Sequence, residues 1–345
     1  MSLTMQAAVL EAVGQPLVLR EVARPVIGSD EVLVQTRACG ICGTDLHMHE
    51  GWGYQPALPF VMGHEPSGVV VQVGANVRRF KPGDRVVANI FYACGECFYC
   101  RTDRETQCLH LGGILGVLEH WGGYGEFFKI PGRQLFPLPN AVSFAEGAVI
   151  ADAIVTATHA VQRGRVGPGE RVAVLGVGGC GSAALQIAQL YGAAAIGVDQ
   201  SEAKRAHTLA LGAAAAVNGQ TADAVAEVRA WAGGTGVQCV IDTVGSAQSI
   251  TQALAMLARG GRLVMLGYTQ ERHPLDPRQI AVNELEIIGT RGGGRQCTVE
   301  AIRLVADPRW RPIVSDTFPI AEVNAALEHL RSGAALGRIV LTFGE

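Results

Sequence analysis

A short segment over residues 40–65 combines several side chains that could bind a metal. It carries the thiol of Cys42, the hydroxyl of Thr44 and the imidazoles of His47 and His64 among glycines and prolines. Zinc accepts Cys sulfur, His nitrogen and carboxylate oxygen, and a catalytic zinc has three protein ligands and one open position. Cys42 and His64 could supply two of these ligands. An isolated cysteine and histidine in a loop are more often unrelated, so the rest of the chain must decide.

A cluster of four cysteines follows further along the chain. Its spacing, C-x2-C-x2-C-x7-C, brings four thiolates within reach of one tetrahedral ion and leaves no open position. This pattern is typical of a structural zinc site. An iron–sulfur cluster also uses four thiolates and is the alternative. The cysteines are Cys94, Cys97, Cys100 and Cys108.

A glycine-rich turn indicates a dinucleotide site. The pattern G-x-G-x-x-G lies between a predicted strand and a predicted helix, and Asp199 ends the next predicted strand. Its glycines permit a tight turn, close approach of the backbone to a pyrophosphate and close packing of helix on strand. Asp199 would bind ribose hydroxyls and repel a 2′-phosphate, which favours NAD over NADP. Lys204 could also reach the ribose, although a solvated helix lysine is an equally good interpretation. The glycines are Gly176, Gly178, Gly179 and Gly181.

Two kinds of hydrophobic pattern predict the elements that hold these sites. Before Asp84, short Val-rich strands alternate with Gly, Pro and Asp, which favours a compact β-rich unit. Ser143 and Glu146 form a predicted capping box that opens a helix containing Asp152. Strands and helices then alternate through the middle of the chain, which predicts an α/β fold with a doubly wound parallel sheet. Predicted helices span residues 202–211, 222–231, 250–257, 299–306 and 321–330, and later predicted strands span residues 237–242, 262–266 and 338–342.

The composition is typical of a folded protein that acts on small molecules. Of the 345 residues, 48% are hydrophobic and 17% are charged, which allows a sizeable core and two domains. The net charge of -3 gives no support for binding nucleic acid or an anionic membrane. The N-terminus lacks the pattern of a signal peptide, and we expect no run able to span a bilayer. We therefore expect a cytoplasmic protein, in which the nine cysteines indicate metal rather than disulfides.

These features together resemble the zinc-containing medium-chain dehydrogenases, the alcohol dehydrogenase family with a GroES-like catalytic domain. The family's zinc signature G-H-E-x2-G-x5-G-x2-V is met over residues 63–77, and the cysteine lobe at about residues 92–110 matches its structural zinc loop. The resemblance covers essentially the whole chain. It implies a GroES-like β-rich catalytic domain and a Rossmann coenzyme domain. The catalytic domain would comprise residues 1–150 and 292–345, and the coenzyme domain residues 151–291.

The resemblance also implies the ligands of the catalytic zinc. It assigns Cys42, rather than Cys39, as the first ligand and His64 as the second. The third falls in the region of Asp152, where many members have cysteine; oxygen is an acceptable donor there. The alternative for Asp152 is a carboxylate in the first turn of a helix, stabilised by the helix dipole. Glu65 occupies the place of a glutamate that can approach or briefly bind the zinc in the family.

The implied reaction is NAD-dependent oxidation of an alcohol. Zinc acts as a Lewis acid that lowers the pKa of the alcohol, so that an alkoxide can form near neutral pH. Thr44 takes the proton, His47 releases it to solvent, and hydride passes to the nicotinamide ring. Asp45 resembles the carboxylate that orients the ligand histidine. Arg338 corresponds to an arginine on the cofactor pyrophosphate. Residues expected near the nicotinamide are Thr156, Thr243 and Gly267.

The identity of the substrate is weakly encoded. Several large apolar side chains are candidates for a pocket near the zinc, so we expect a medium-sized hydrophobic secondary or cyclic alcohol, or its ketone. Each of these side chains could equally be an ordinary core residue.

Two alternatives to an alcohol dehydrogenase remain open. They are a polyol or sugar dehydrogenase of the same family, and a non-catalytic NAD(H)-binding, redox-responsive zinc protein. We expect two zinc ions per chain and a homo-oligomer, either a tetramer or a dimer. The apolar side chains that are candidates for the pocket near the zinc are Trp52, Tyr54, Ile90, Phe91 and Trp121.

Overall fold

The computed structural model describes residues 3–344, which divide into two compact units. The α/β fold class expected from the sequence is confirmed. The expected domain boundary after residue 150 lies close to the boundary found after Val155, and residues 1, 2 and 345 of the expected catalytic domain lie outside the described part. The first unit consists of the described residues up to Val155, of Gly293–Pro308 and of the residues from Pro312 onwards. The second unit consists of Thr156–Gly292 and Arg309–Arg311.

The N-terminal part of the chain is mainly β-structure, as the sequence predicts. Two short 3-10 helices, Glu105–Gln107 and Gly132–Gln134, lie among its strands. Its strands are β1 (Thr4–Leu10), β2 (Val18–Ala23), β3 (Glu31–Ile41), β4 (Phe60–Val61), β5 (Glu65–Val73), β6 (Arg85–Ala88), β7 (Ile114–Leu115), β8 (Glu119–His120), β9 (Phe127–Pro131) and β10 (Leu135–Pro137). Its helices are α1 (Gly43–His49), α2 (Phe98–Arg101) and α3 (Phe144–Val149).

The rest of the chain alternates helices and strands. A π-helix, Ile150–Ile154, joins α3 to the first of these helices. The helices are α4 (Val155–Arg163), α5 (Gly179–Leu190), α6 (Glu202–Ala210), α7 (Ala224–Trp231), α8 (Ala247–Met256), α9 (Pro277–Val282), α10 (Arg295–Val305) and α11 (Val323–Arg331), with a 3-10 helix at Ile320–Glu322. The strands are β11 (Arg171–Leu175), β12 (Ala194–Asp199), β13 (Ala215–Asn218), β14 (Val237–Asp242), β15 (Leu257–Met265), β16 (Glu286–Gly289), β17 (Val314–Pro319) and β18 (Arg338–Thr342).

The second unit contains the predicted doubly wound sheet. Its order is β13-β12-β11-β14-β15-β16, and every neighbouring pair is parallel. The strand order reverses between β11 and β14, and ligands of such sheets bind beyond the carboxyl ends of the strands at this point. Val240, Ile196 and Ala173 are fully buried in its core.

The first unit brings three strand ends to one place. Strand β3 lies at the centre of its sheet and pairs antiparallel with β5, β9 and β18. In this register Gly40 pairs with Glu65, and Ile41 pairs with Ile339. The residues at the end of β3, the start of β5 and the start of β18 therefore meet. A Cβ on Gly40 would lie 1.9 Å from the Glu65 carboxylate, which explains the glycine there.

A helical run of 20 residues, Phe144–Arg163, begins where the capping box predicts. Ser143 accepts a hydrogen bond from the Glu146 backbone N–H, and the Glu146 side chain accepts one from Ser143. Among the residues described, this run is long and apolar enough by length and composition to cross a membrane, contrary to the expectation of no such run. However, 72% of its apolar window is buried inside the protein, as in a core helix.

Candidate catalytic metal site and cofactor groove

Four potential metal ligands meet where β3 ends and β5 begins. One ligand atom from each of Cys42, His64, Glu65 and Asp152 lies within 4.8 Å of all the others. Cys42 Sγ is 3.5 Å and His64 Nε2 is 3.7 Å from Asp152 Oδ2. Sulfur, nitrogen and oxygen ligands of a tetrahedral zinc lie about 3.4–3.6 Å apart at the usual bond lengths. The donor set and its spacing therefore fit one zinc ion.

Asp152 reaches this cluster from the π-helix. It lies inside the helical run Phe144–Arg163 rather than in its first turn, so the helix-dipole interpretation does not describe its environment. Its side chain is 13% exposed and contacts the Cys42 thiol, the His64 ring and Arg338. π-Helical turns occur often at functional sites because they change the direction in which a side chain projects. The sequence pattern predicted a helix here but not its π-helical turn.

Arg338 lies against two of these carboxylates. Its Nε donates to Glu65 Oε2 at 3.0 Å, and its Nη2 donates to Glu65 Oε1 and, at 3.0 Å, to Asp152 Oδ2. Burial raises the pKa of Glu65 to about 8, although Arg338 acts in the opposite direction. Sequence reasoning assigned Arg338 to the pyrophosphate and missed these partners, since strand pairing cannot be read from the chain alone. Its role at the pyrophosphate stays a prediction.

His64 is buried and faces Asp45 with its other ring nitrogen. Burial alone would lower the pKa of His64, but the charge of the Asp45 carboxylate and the contacts of the ring with Asp152 and Cys42 raise it well above its usual value. His64 Nδ1 is 3.4 Å from Asp45 Oδ1, while Asp45 Oδ2 accepts a 2.8 Å bond from the Cys42 backbone N–H. Asp45 is therefore placed to orient His64. A zinc ligand must be neutral imidazole, so metal binding would release the proton.

The two expected proton carriers lie on or beside α1. Thr44 Oγ1 is 3.8 Å from Cys42 Sγ. His47 is half-buried, and its ring lies on Trp52 with centroids 3.7 Å apart. Burial lowers the pKa of His47 more than the Glu50 and Asp45 carboxylates raise it. Because its pKa is lowered, His47 is neutral at pH 7 and able to accept a proton.

The four cysteines of the lobe are arranged around one point. Cys97 Sγ lies 3.5 Å from Cys100 Sγ and 3.9 Å from Cys108 Sγ, and Cys94 Sγ lies 3.8 Å from Cys100 Sγ. Sulfurs around a tetrahedral zinc lie about 3.8 Å apart. Sulfurs in mutual contact leave room for one ion and not for a cluster of several iron and sulfide ions. Hydrogen bonds from the backbone N–H groups of Cys100 and Leu109 lower the pKa of Cys97 to about 6, which favours the thiolate.

Replacing Cys97 by alanine is expected to remove one zinc and to lower the melting temperature by about 5–10 °C, because a structural metal contributes directly to folding. Metal analysis and thermal unfolding measure both effects. Cys297→Ala, which removes a buried thiol outside the lobe, serves as the control and should keep its zinc. A Cys97→Ala protein with unchanged zinc content would contradict this assignment.

The second unit contains a groove of about 370 Å³ at its glycine-rich turn. Gly176 has φ of 79°, and α5 begins beyond Gly178 without a side-chain cap. A Cβ on Gly178 would meet no atom within 4 Å, which leaves the backbone open to a ligand. A Cβ on Gly181 would lie 1.9 Å from the Gly176 carbonyl oxygen, so this glycine permits close packing of helix on strand. The residues around the groove include Asp199, Lys204 and Thr243.

Asp199 holds the turn and faces the groove. Its Oδ2 accepts a bond from the Val177 N–H and its Oδ1 one from the Ser201 N–H, both at 2.9 Å. Lys204 lines the same groove, and Gly179 is the first residue of α5. Backbone N–H groups therefore hold both carboxylate oxygens of Asp199, and its role in binding a ribose stays a prediction.

The three residues expected near the nicotinamide all lie in the second unit. Thr243 Oγ1 donates to the Gly176 carbonyl at 2.7 Å and so joins the end of β14 to the turn. A Cβ on Gly267 would lie 2.3 Å from the Thr243 carbonyl oxygen, so the two backbones touch. Thr156 is buried in α4 at 6% exposure. Their contacts with a nicotinamide stay predictions.

The candidate pocket residues divide into two groups. Ile90 and Phe91 are 5% and 4% exposed and belong to the core of the first unit, which favours the ordinary-core interpretation for them. Tyr54 and Trp121 are partly buried and pack against that core. Trp52 covers His47, and its indole N–H donates to Glu50 at 3.2 Å.

Comparison with protein-family models finds two matches along the chain. Residues 28–140 match the model of the alcohol dehydrogenase GroES-like domain. Residues 179–307 match the model of the zinc-binding dehydrogenases.

Individual proteins resemble the chain over its full length. An alcohol dehydrogenase of Geobacillus stearothermophilus is 38% identical over 99% of the chain and 100% of the relative. An NAD-dependent alcohol dehydrogenase of Sulfolobus acidocaldarius is 33% identical over 98% and 99%. The solved structure of acetophenone reductase from Geotrichum candidum in complex with NAD is similar with a TM-score of 0.89 and 27% identity, covering 99% of this chain and 98% of that one.

Proposed function

The chain belongs to the zinc-dependent alcohol dehydrogenase family, and we propose that Cys42, His64 and Asp152 hold the catalytic zinc of its NAD-dependent reaction. The observation that carries this proposal is the convergence of these ligand atoms, with Glu65, within 4.8 Å. When bound, zinc supplies a Lewis acid that lowers the pKa of the substrate alcohol. One thiolate and one carboxylate neutralise the divalent ion.

The other side chains of the site handle the proton and hold the ligands. Thr44, two residues after Cys42 in the sequence, receives the proton of the alcohol. Neutral His47 then accepts a proton from this relay and releases it to solvent. Glu65 is a reserve ligand, and Arg338 holds it and Asp152 in place by donating hydrogen bonds to both. The burial of Glu65 and Arg338 against the ligands and the half-buried position of His47 support this division of roles.

The second unit binds NAD at its glycine-rich turn. We propose that the pyrophosphate lies on the N-terminus of α5, where backbone N–H groups lack a side-chain cap. Asp199 and Lys204 bind the adenosine ribose. Thr156, Thr243 and Gly267 lie at the nicotinamide end, and Arg338 also serves the pyrophosphate.

The substrate we propose is a medium-sized apolar secondary or cyclic alcohol, or the corresponding ketone. The likeness to acetophenone reductase, whose name specifies an apolar ketone, supports this class. The test is formation of NADH, followed by absorbance, with NAD and a panel of primary, secondary, cyclic and polyhydroxylated alcohols. Turnover that is greatest on apolar secondary or cyclic alcohols supports the proposal. Greatest turnover on polyols would instead favour the sugar or polyol dehydrogenase alternative.

Asp152→Ala is expected to lower the zinc content by about one of two ions per chain, because the site loses one of its three ligands. Asp152→Cys, which restores a ligand, should keep both. The matched control is Asp223→Ala, which removes an exposed carboxylate in the second unit. Retention of both zincs by Asp152→Ala would show that the third ligand is a different residue.

Three further properties are proposed. The second, structural zinc per chain rests on the spacing of the four lobe thiols. A homo-oligomer, either a dimer or a tetramer, is supported by the position of β16 at the edge of its sheet, where a second copy of the chain could add a strand, and light scattering measures it. We expect the protein in the cytoplasm, where the thiols stay reduced.

A further inference from the structure

Three buried polar side chains lie together behind the proposed zinc ligands. Asp45 and Tyr124 are fully buried, and His64 is 2% exposed. Within residues 3–344, Tyr124 Oη, Asp45 Oδ1 and His64 Nδ1 each lack a hydrogen-bond partner of good geometry. Buried polar groups are almost always paired, so three such atoms in one place require an explanation. We call these residues the Tyr124 cluster.

The backbone holds Tyr124 directly beside the ligand histidine. Its N–H donates to the Met62 carbonyl at 3.0 Å, two residues before His64. Its ring packs on Gly63, where a Cβ would lie 2.3 Å from a ring carbon. Gly63 has φ of 92°, a left-handed conformation that glycine adopts readily. Any side chain at position 63 would therefore push the tyrosine ring away.

The Tyr124 hydroxyl and Asp45 Oδ1 are both buried without a partner of good geometry in the described residues. Burial raises the pKa of Tyr124 well above its usual value, and among the neighbouring charged groups Asp45 raises it most. A neutral O–H beside a buried carboxylate is favourable because the hydroxyl can donate a hydrogen bond to a carboxylate oxygen. Tyr124 can therefore supply a donor to Asp45 Oδ1, while Asp45 Oδ2 accepts from the Cys42 N–H.

Metal binding completes the pattern of donors and acceptors. A zinc on His64 Nε2 requires the proton on Nδ1, which makes Nδ1 a donor. Asp45 Oδ1 faces it at 3.4 Å, while Asp45 Oδ2 already accepts from the Cys42 N–H. A carboxylate oxygen has two lone pairs, so Oδ1 can accept from His64 Nδ1–H and from Tyr124 Oη–H together. All three orphaned atoms then have partners.

We propose that Tyr124 is a positioning residue of the catalytic metal site: its hydroxyl donates to Asp45 Oδ1 and fixes the carboxylate that orients His64. This proposal rests on the zinc ligands assigned under the proposed function. Mutation of a residue that hydrogen-bonds to a metal ligand typically lowers the metal affinity about 10–100-fold. Because Tyr124 acts through Asp45 rather than on the ligand itself, we expect its loss to have an effect of about tenfold.

The test is the rate at which the holoenzyme releases zinc to a coloured chelator. The phase of release that is absent in Cys42→Ala identifies the catalytic site. In Tyr124→Phe this phase should be about tenfold faster, while the phase from the cysteine lobe is unchanged. The visible spectrum of the cobalt-substituted enzyme should shift as well. Tyr92→Phe is the control, because its hydroxyl donates to the Lys129 carbonyl at 3.0 Å.

A double-mutant cycle separates positioning from a general loss of stability. In Asp45→Ala the tyrosine has no acceptor to fix, so adding Tyr124→Phe should change the release rate by less than about twofold. Equal release from Tyr124→Phe and the unsubstituted enzyme would overturn the proposal, as would a full tenfold effect in the Asp45→Ala background. If Cys42→Ala keeps both phases, the zinc site itself is wrong and the proposal falls with it.

Discussion

The His64→Ala enzyme is expected to lose at least about a thousandfold in kcat/KM and about one zinc per chain, because the Lewis acid contributes several kcal/mol to the transition state. His64 supplies the only ring nitrogen in the ligand cluster of the first unit as the structure describes it. Without this histidine, only the thiol of Cys42 and the side chains of Glu65 and Asp152 remain to bind the zinc, and the site lacks its nitrogen ligand. Steady-state kinetics with NAD and metal analysis on the same preparation measure both effects.

A control removes a histidine that lies outside the cluster. His49 lies on α1, and one of its ring nitrogens contacts the Gln15 carbonyl at 3.0 Å. His49→Ala should keep its zinc and most of its activity. If His64→Ala binds the full complement of zinc and remains active, the proposed catalytic metal site is wrong.

Asp199→Ala should shift the preference for NAD over NADP by about 100-fold or more. Charge-assisted hydrogen bonds to the ribose contribute about 1.5–3 kcal/mol each, and each 1.4 kcal/mol is a factor of ten. Removing the carboxylate also removes its repulsion of a 2′-phosphate. The ratio of kcat/KM for NAD to that for NADP measures the effect.

Folding must be checked in this variant, because Asp199 accepts hydrogen bonds from two backbone N–H groups, those of Val177 and Ser201. Asp199→Asn retains an acceptor without the charge, so it separates repulsion of the phosphate from local unfolding. Asp223→Ala, an exposed aspartate of the same unit, should leave the preference unchanged. An unaltered NAD preference in both Asp199 variants would show that another residue sets the cofactor choice.

Much of the fold can be predicted from the sequence because local patterns determine it. The alternation of apolar and polar residues predicts β1, β2, β3, β5 and β6 of the first unit, and the G-x-G-x-x-G turn predicts where α5 begins. Ser143 and Glu146 predict the start of α3 through a local capping interaction. Strand β17 was not predicted, since its side chains alternate between half-buried and exposed without a fully buried one, and its pairing with β18 is not visible in the local pattern.

The chemistry of the site is predictable in type but not in its long-range contacts. Cys42 and His64 lie in one short segment, and the zinc signature over residues 63–77, rather than the pair alone, indicates that they bind a metal. The contacts of Arg338 with Glu65 and Asp152 join residues far apart in sequence and follow from the register of three strands. The hydroxyl of Tyr124 gives no signal in the sequence either, because its importance arises from burial beside Asp45.

Anomalous diffraction at the zinc absorption edge from crystals of the zinc-loaded enzyme tests the central claim most directly. The account predicts a peak about 2.0–2.3 Å from Cys42 Sγ, His64 Nε2 and one Asp152 carboxylate oxygen, and a second among the four lobe sulfurs. A protein without the first peak, or one in which that zinc is bound without Asp152, would contradict the proposed site.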